Sequence, residues 1–419
     1  MSEPAPITES PPEPPAAPPG RARRLIDPVV TARPWVVTVL AIVLALVVGA
    51  ILIVLADEDT RAKFGYFFAA PGDGLSAAWS DITTAYTALF KGSIYNPANT
   101  SSLTAALTPL SETLTEATPL IFGGLAIGLA FQAGMFNIGG QGQLIFGAIA
   151  ATYVGFTVTG PPVIALIAGV VAGIVGGAVI GGFVGWLKAA TGAHEVIVTI
   201  MLNYVALALL NYLIATTVFK DPNNPQPVSK PVAGNARLPH LAGESLRVNA
   251  GILLAVVAVA FAWWLLNRST LGFQLRTVGA NANAARTAGM NVGHSQIMAM
   301  VISGGMMGLV GVSQVLGTAN ANNALTPQID AGLGFAAITV ALLGRASPIG
   351  TVLAALLFGA LQAGGREMQA AAGVSIQIVT VIQALIVLFV AAPALVRGLF
   401  RLRGGAGVEM GLTAKGWNG

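Results

Sequence analysis

The stretch Gly128–Phe156, "GLAFQAGMFNIGGQGQLIFGAIAATYVGF", is apolar at both ends and polar in its middle. Gln132, Asn137, Gln141 and Gln143 fall close together there, with Gly134, Gly139, Gly140 and Gly142 among them. The ends read as two membrane helices. The middle reads as a break between them, because glycine weakens a helix interior by roughly 0.5–1 kcal/mol relative to alanine. Irregular backbone at membrane depth is tolerated only where it is buried in protein or lines a water-filled cavity. Transporters place substrate sites at such interruptions.

Composition places the rest of the chain in the same class. Of 419 residues 55% are hydrophobic and 9% charged, and the mean hydropathy is +0.76. A soluble domain carries about 25% charged residues, so this chain lacks the charge to cover a water-facing surface. It has no cysteine, which excludes disulfides and thiolate-bound metal. The first residues, "MSEPAPITESPPEPPAAPPG", are Pro-rich and read as a disordered tail over 1–34. The apolar run that follows, from Trp35 to Leu55, is too long for a signal-peptide core and reads as an uncleaved first helix.

Hydropathy predicts an all-α, polytopic membrane protein with about ten segments. They fall near 35–55, 113–131, 138–157, 162–187, 196–218, 249–266, 296–317, 333–344, 348–364 and 375–396. The two short ones, 333–344 and 348–364, suit a helix pair with one re-entrant member. Arg268, Arg276 and Arg286 lie in loop 267–295 without any acid, and Lys188, Arg345, Arg397, Arg401 and Arg403 fall on the same side. The positive-inside rule makes that side cytoplasmic, with both termini and the tail 401–419. Loops 56–112 and 219–248 then face outward. The first includes a helix expected to lie at the outer interface, and the second reads as an irregular cap.

Chemistry-bearing patterns are sparse. No G-x-x-x-x-G-K-[ST] loop occurs, and "HEVIV" at His194 lacks the second histidine of a zinc protease. His194, His240 and His294 lie in three loops, two inside and one outside, so they cannot form one metal site. No carboxylate falls in the middle of a predicted segment, which leaves a proton relay without a candidate. Glu195 and Glu367 read as charges at segment edges. The remaining polar groups are uncharged: Gln132, Asn137, Gln141 and Gln143 at the break, Asn203 and Asn211 eight apart on one predicted helix face, and Ser303, Ser313 and Gln314. Amides in an interior suit a neutral hydrogen-bonding solute, or they tie neighbouring helices together. At the break the accompanying glycines favour a pathway lined by Gln132, Asn137, Gln141 and Gln143, with Asn203 nearby.

Loop 267–295 predicts a short isolated helix. Asn281 can cap its start, and Gly289 stands where a left-handed glycine ends it. Gly279, Ala280, Asn281, Ala284, Ala285, Arg286 and Gly289 form a small, mostly uncharged element suited to docking in a partner's groove.

Four stretches in order, "GLAFQAGMFNIGGQGQLIFGAIAA", "GAHEVIVTIMLNYVALALLNYL", "GFQLRTVGANANAARTAGMNV" and "GLGFAAITVALLGRASPIGTVLAALLFGAL", resemble the permease subunits of bacterial nucleoside and simple-sugar ABC importers. The resemblance covers roughly 35–400 and is closest to the nucleoside branch. It implies a fold like the BtuC-related or ribose-permease importers, with a pathway at a two-permease interface. It implies that "VGANANAARTAGMN" is the coupling helix seated on a separate ATPase, which would hold ATP and magnesium. It also implies a binding lipoprotein outside and, commonly, a second, non-identical permease, a homodimer being the alternative. The chain itself would hold no cofactor or metal, bind no nucleic acid and reside in the bacterial plasma membrane. A ribose-like sugar permease is the runner-up. A stand-alone secondary transporter would need an intramembrane charge or ion site.

Overall fold

Each of the ten apolar segments becomes a helix, but not each helix can cross a membrane. The computed structural model describes residues 30–32, 34–97, 102–241, 243, 246–317, 323–400 and 402–404. In chain order the helices are α1 (Pro34–Ala56), α2 (Glu58–Phe64), α3 (Pro71–Ser93), α4 (Leu103–Gln132), α5 (Gly140–Thr157), α6 (Pro162–Thr191), α7 (Glu195–Ala215), α8 (Gly251–Arg268), α9 (Thr270–Ala280), α10 (Ala282–Thr287), α11 (Val292–Val315), α12 (Leu333–Leu343), α13 (Pro348–Ala372), α14 (Ile376–Ala391) and α15 (Pro393–Leu399). Two short strands, β1 (Val30–Ala32) and β2 (Leu402–Gly404), pair in parallel. The rest of the expected tails 1–34 and 401–419 lies outside the described residues.

Among the described residues seven helices are long and apolar enough to span: α1, α4, α6, α7, α8, α11 and α13. The pair α14 and α15 makes an eighth if counted as one span bent by 87°. That bend falls at Pro393, which has no N–H to continue a helix. The expected count of about ten is therefore not reached. α5 opens on Gln141 and Gln143, which lower its apolarity, and α12 has only 11 residues. Of the two segments expected to be short, only α12 is. α13 runs 25 residues, beyond the predicted end at 364.

The bundle is built around α4, whose apolar window is 83% buried against 22% for α1 and α6. The outer helices show aliphatic faces instead, such as Val39, Val43, Val47, Ile51 and Leu55 on α1. Those faces meet hydrocarbon at no cost. α6 packs on α11 through glycine. Gly169, Gly173, Gly177, Gly181 and Gly185 recur every fourth residue and are buried, a spacing that puts them on one face. A Cβ at Gly177 would lie 2.2 Å from the Gly304 carbonyl oxygen, so the two backbones touch. Close approach of this kind replaces the hydrophobic drive that lipid removes.

The helix of the 56–112 loop, α3, packs along α13. A Cβ at Gly364 would lie 2.3 Å from the Leu89 carbonyl oxygen. The segment 219–248 is a cap with defined backbone pairing. Ser229 N donates to Leu325 O at 3.0 Å, Val232 N to Asn323 O at 2.9 Å and Leu238 N to Leu316 O at 2.7 Å. Arg247 of the cap reaches Glu112 at 2.8 Å, and Arg366 of α13 reaches Glu112 at 3.0 Å and Glu116 at 2.7 Å. These partly exposed pairs set register more than stability.

Candidate functional site

α4 ends at Gln132 and the chain turns at Gly134, whose φ is +71°. Glycine is required there twice over. The left-handed conformation penalises a side chain, and a Cβ would lie 3.0 Å from the Gly279 Cα of α9. Gly279 is equally tight, since its own Cβ would lie 2.2 Å from the Gln132 carbonyl oxygen. The polar loop helices therefore abut the start of the break directly.

Beyond Gly134 the break is held by side-chain amides. Asn137 is fully buried and donates to Gln143 Oε1 and Ser303 Oγ, each at 2.9 Å. Its Oδ1 accepts from Gly139 N at 3.0 Å and from Gln143 Nε2 at 3.3 Å. Ser303 Oγ in turn donates to Ala126 O of α4 at 2.8 Å. Asn203 of α7 accepts from Gly142 N at 2.8 Å and donates to Ile138 O at 3.1 Å. Thus two of the orphan N–H groups around the start of α5 are satisfied by asparagine side chains. Glu195, expected at a segment edge, is buried against Lys188 Nζ at 2.5 Å and accepts from Phe136 N at 3.4 Å.

The other two glutamines point elsewhere. Gln132 is half-buried and donates to Ala346 O at 3.2 Å. Gln141 is half-buried and donates to Asp330 Oδ2 at 3.0 Å. The structure thus joins Asn137, Gln143 and Ser303 in one network, holds the neighbouring backbone with Asn203, and leaves Gln132 and Gln141 at the margins. Asn211 does not share the face of Asn203. It is exposed, because eight residues at 3.6 per turn leave a rotation of about 80°. A surface cavity of about 520 Å³, lined by Pro162, Arg237, His240 and Asn323, lies under the cap and away from the break.

Asp330 was invisible in the sequence reading, since "TPQIDAGLG" looks like an ordinary loop. The one signal was the shortness of the apolar run after it. A segment of 11 residues rises only about 16 Å, about half of ~30 Å of hydrocarbon.

In the loop 267–295 the helix α10 forms as its caps dictate. Asn281 accepts from Asn283 N and Ala284 N, each at 3.0 Å, and Gly289 has φ +81°. Asn281, Ala284, Arg286 and Gly289 are exposed, as is Ala280 at the end of α9. Ala285 is not. It is fully buried in a small core with Val278 and Val292, and so fixes α10 to its own subunit.

Asn137→Leu is expected to lower the thermal midpoint of the purified protein. It strands the Gly139 N–H and the Gln143 amide, at roughly 1–3 kcal/mol for each buried unsatisfied group. Gln132→Leu frees only one carbonyl and should move the midpoint less. Equal midpoints for wild type and Asn137→Leu would remove the network from the stability of the break.

The chain matches the family described as branched-chain amino acid transport system / permease component over residues 110–391. It is 35% identical to the guanosine ABC transporter permease protein NupP of Bacillus subtilis, over 86% of this chain and 94% of that protein. It is 36% identical to a glucose ABC transporter permease of Haloferax volcanii, over 67% of this chain and 75% of that one. It is 33% identical to the nucleoside ABC transporter permease protein NupB of Lactococcus lactis, over 67% and 79%. With spanning helices packed around a broken, amide-held segment, this chain is a multi-pass membrane protein that belongs to the branched-chain amino acid transport system permease family.

Proposed function

We propose that this chain is one of two permease subunits in an ATP-driven importer of nucleosides. The observation that carries the reading is the full-length similarity to a guanosine permease. The break supports it: the groups beside Gln132 and Gln141 are amides, a hydroxyl and the Asp330 carboxyl, with the Glu195 carboxyl paired to Lys188, and these match a neutral solute rich in hydrogen-bond donors. The exposed face of α10, with Asn281, Ala284, Arg286 and Gly289, serves as the seat of a separate ATPase, which holds ATP and magnesium. Gly279 links that seat to the break, so that movement of the loop shifts the start of α5. ATP binding on the other subunit then biases outward- and inward-open states by differential contact. The basic loops support cytoplasmic termini, and the cap with α3 then faces a binding protein outside. Gln132, Gln141 and the amide network of Asn137, Gln143 and Asn203 define the pathway wall, the first two as the groups accessible to solute.

A sugar permease is the second reading, favoured by the haloarchaeal glucose permease relative. Vesicles containing the full complex decide between them. ATP-dependent uptake is measured for guanosine, adenosine, uridine, ribose and glucose. Saturable nucleoside uptake is expected. Uptake of glucose or ribose alone would place the chain in the sugar branch, and uptake without ATP would make it a secondary transporter.

A further inference from the structure

α12 is a half-helix. Its C-terminal end lies four residues before α13 begins at Pro348, and α13, with 25 residues, is long enough to span. Eleven residues at about 1.5 Å each make α12 about 16 Å long, about half of ~30 Å of hydrocarbon. With Arg345 read as cytoplasmic, the turn before α12, residues 326–332, is irregular backbone near mid-depth. Two neighbours agree with this depth. A Cβ at Gly334 would lie 2.7 Å from Gln141 N, and a Cβ at Gly140 would lie 2.9 Å from Met307, well inside the 24-residue α11.

This turn is not enclosed by its own subunit. Ala331 and Gly332 are exposed, with φ of +44° and +75°, and Asp330 is half-buried. Open irregular backbone cannot face lipid, where its polar groups would go unsatisfied. A carboxyl at mid-depth is costly in lipid as well and marks a solute path or a partner. Both arguments turn this surface toward a polar space.

The chemistry there is one-sided. Asp330 Oδ2 takes the Gln141 amide proton at 3.0 Å. Asp330 Oδ1 and Gln141 Oε1 have no hydrogen-bond partner among the described residues. The pair thus leaves two open acceptors, one on each member of a single hydrogen-bonded unit. Groups that satisfy two acceptors are paired donors, and in a sugar or the ribose of a nucleoside these are vicinal hydroxyls.

We propose that Asp330 and Gln141 recognise the vicinal hydroxyl pair of the solute's sugar and select ribosyl over deoxygenated solutes in transit. This rests on the reading of the chain as an importer permease. The bond to Gln141 orients the carboxyl, whereas the amide pair formed by Asp330→Asn keeps the shape and, in either orientation, replaces one of the two open acceptors with an N–H donor. Recognition by acceptors then becomes recognition by a donor.

The test uses the assembled complex in vesicles and compares ATP-dependent uptake of guanosine and 2′,3′-dideoxyguanosine, with glucose and 2-deoxyglucose as the sugar pair. The ratio within each pair is independent of how much complex assembles. Wild type is expected to favour the hydroxylated solute about tenfold, as two modest hydrogen bonds allow. Asp330→Asn should bring the ratio to about one by slowing the hydroxylated solute alone, and Gln141→Met should reduce it in the same direction. An unchanged ratio in both variants, or a wild-type ratio of one, overturns the proposal while leaving nucleoside import intact. A complex that carries none of these solutes, nor adenosine, uridine or ribose, overturns the importer reading and this proposal together.

Discussion

Gly177→Val should remove the folded permease from the membrane extract. A Cβ at this position lies 2.2 Å from Gly304 O and 2.7 Å from Gly308 N, and both obstacles are helix backbone. A flexible side chain could swing away, but α11 cannot. The crowding is reciprocal, since a Cβ at Gly308 would lie 2.1 Å from Gly173 O and one at Gly181 would lie 2.1 Å from Met300 O. Relief requires α6 and α11 to separate along several turns, so the loss extends to every neighbouring contact. Overpacking one site costs about 1–3 kcal/mol, and a lost helix interface should exceed that. α11 also carries Ser303, so the amide network of the break goes with it. Gly160→Ala is the matched control, because nothing lies within 4 Å of its Cβ. The measurement is the yield of monodisperse protein in detergent, with its thermal midpoint. Wild-type yield and midpoint for Gly177→Val would show that the two helices do not approach as closely as described.

Ala284→Glu should leave the protein folded and abolish coupled uptake, to below about a tenth of wild type. Ala284 is exposed on α10, while Ala285 is fully buried against Val278 and Val292. Adjacent alanines thus answer different questions. A carboxylate at 284 enters the proposed ATPase seat and loses its water there, and an unpaired buried charge costs roughly 3–5 kcal/mol. At about 1.4 kcal/mol per factor of ten, that weakens docking more than a hundredfold. Ala285→Glu instead puts the charge in the subunit's own small core and should destabilise the loop itself. Copurification of the ATPase with each variant, together with uptake, separates the two. Normal uptake by Ala284→Glu would mean that α10 does not meet the ATPase.

The sequence determined what a few neighbouring residues decide. Apolar runs became helices at all ten expected places, and Asn281 and Gly289 delimit α10 where their cap chemistry puts them. The interruption after Gln132 was legible because glycines and amides crowd into one short stretch. The role of each polar group was not. Asn137 meets Ser303 across 166 residues, and Gln141 meets Asp330 across 189. Whether an amide ties helices or faces a solute depends on such distant partners, which no local pattern encodes. Depth is the same kind of quantity. "TPQIDAGLG" is loop-like in sequence, and only the packing of the short α12 against α4 and α5 brings Asp330 beside Gln141. Hydropathy acts residue by residue along the chain, whereas burial and depth belong to the assembled bundle.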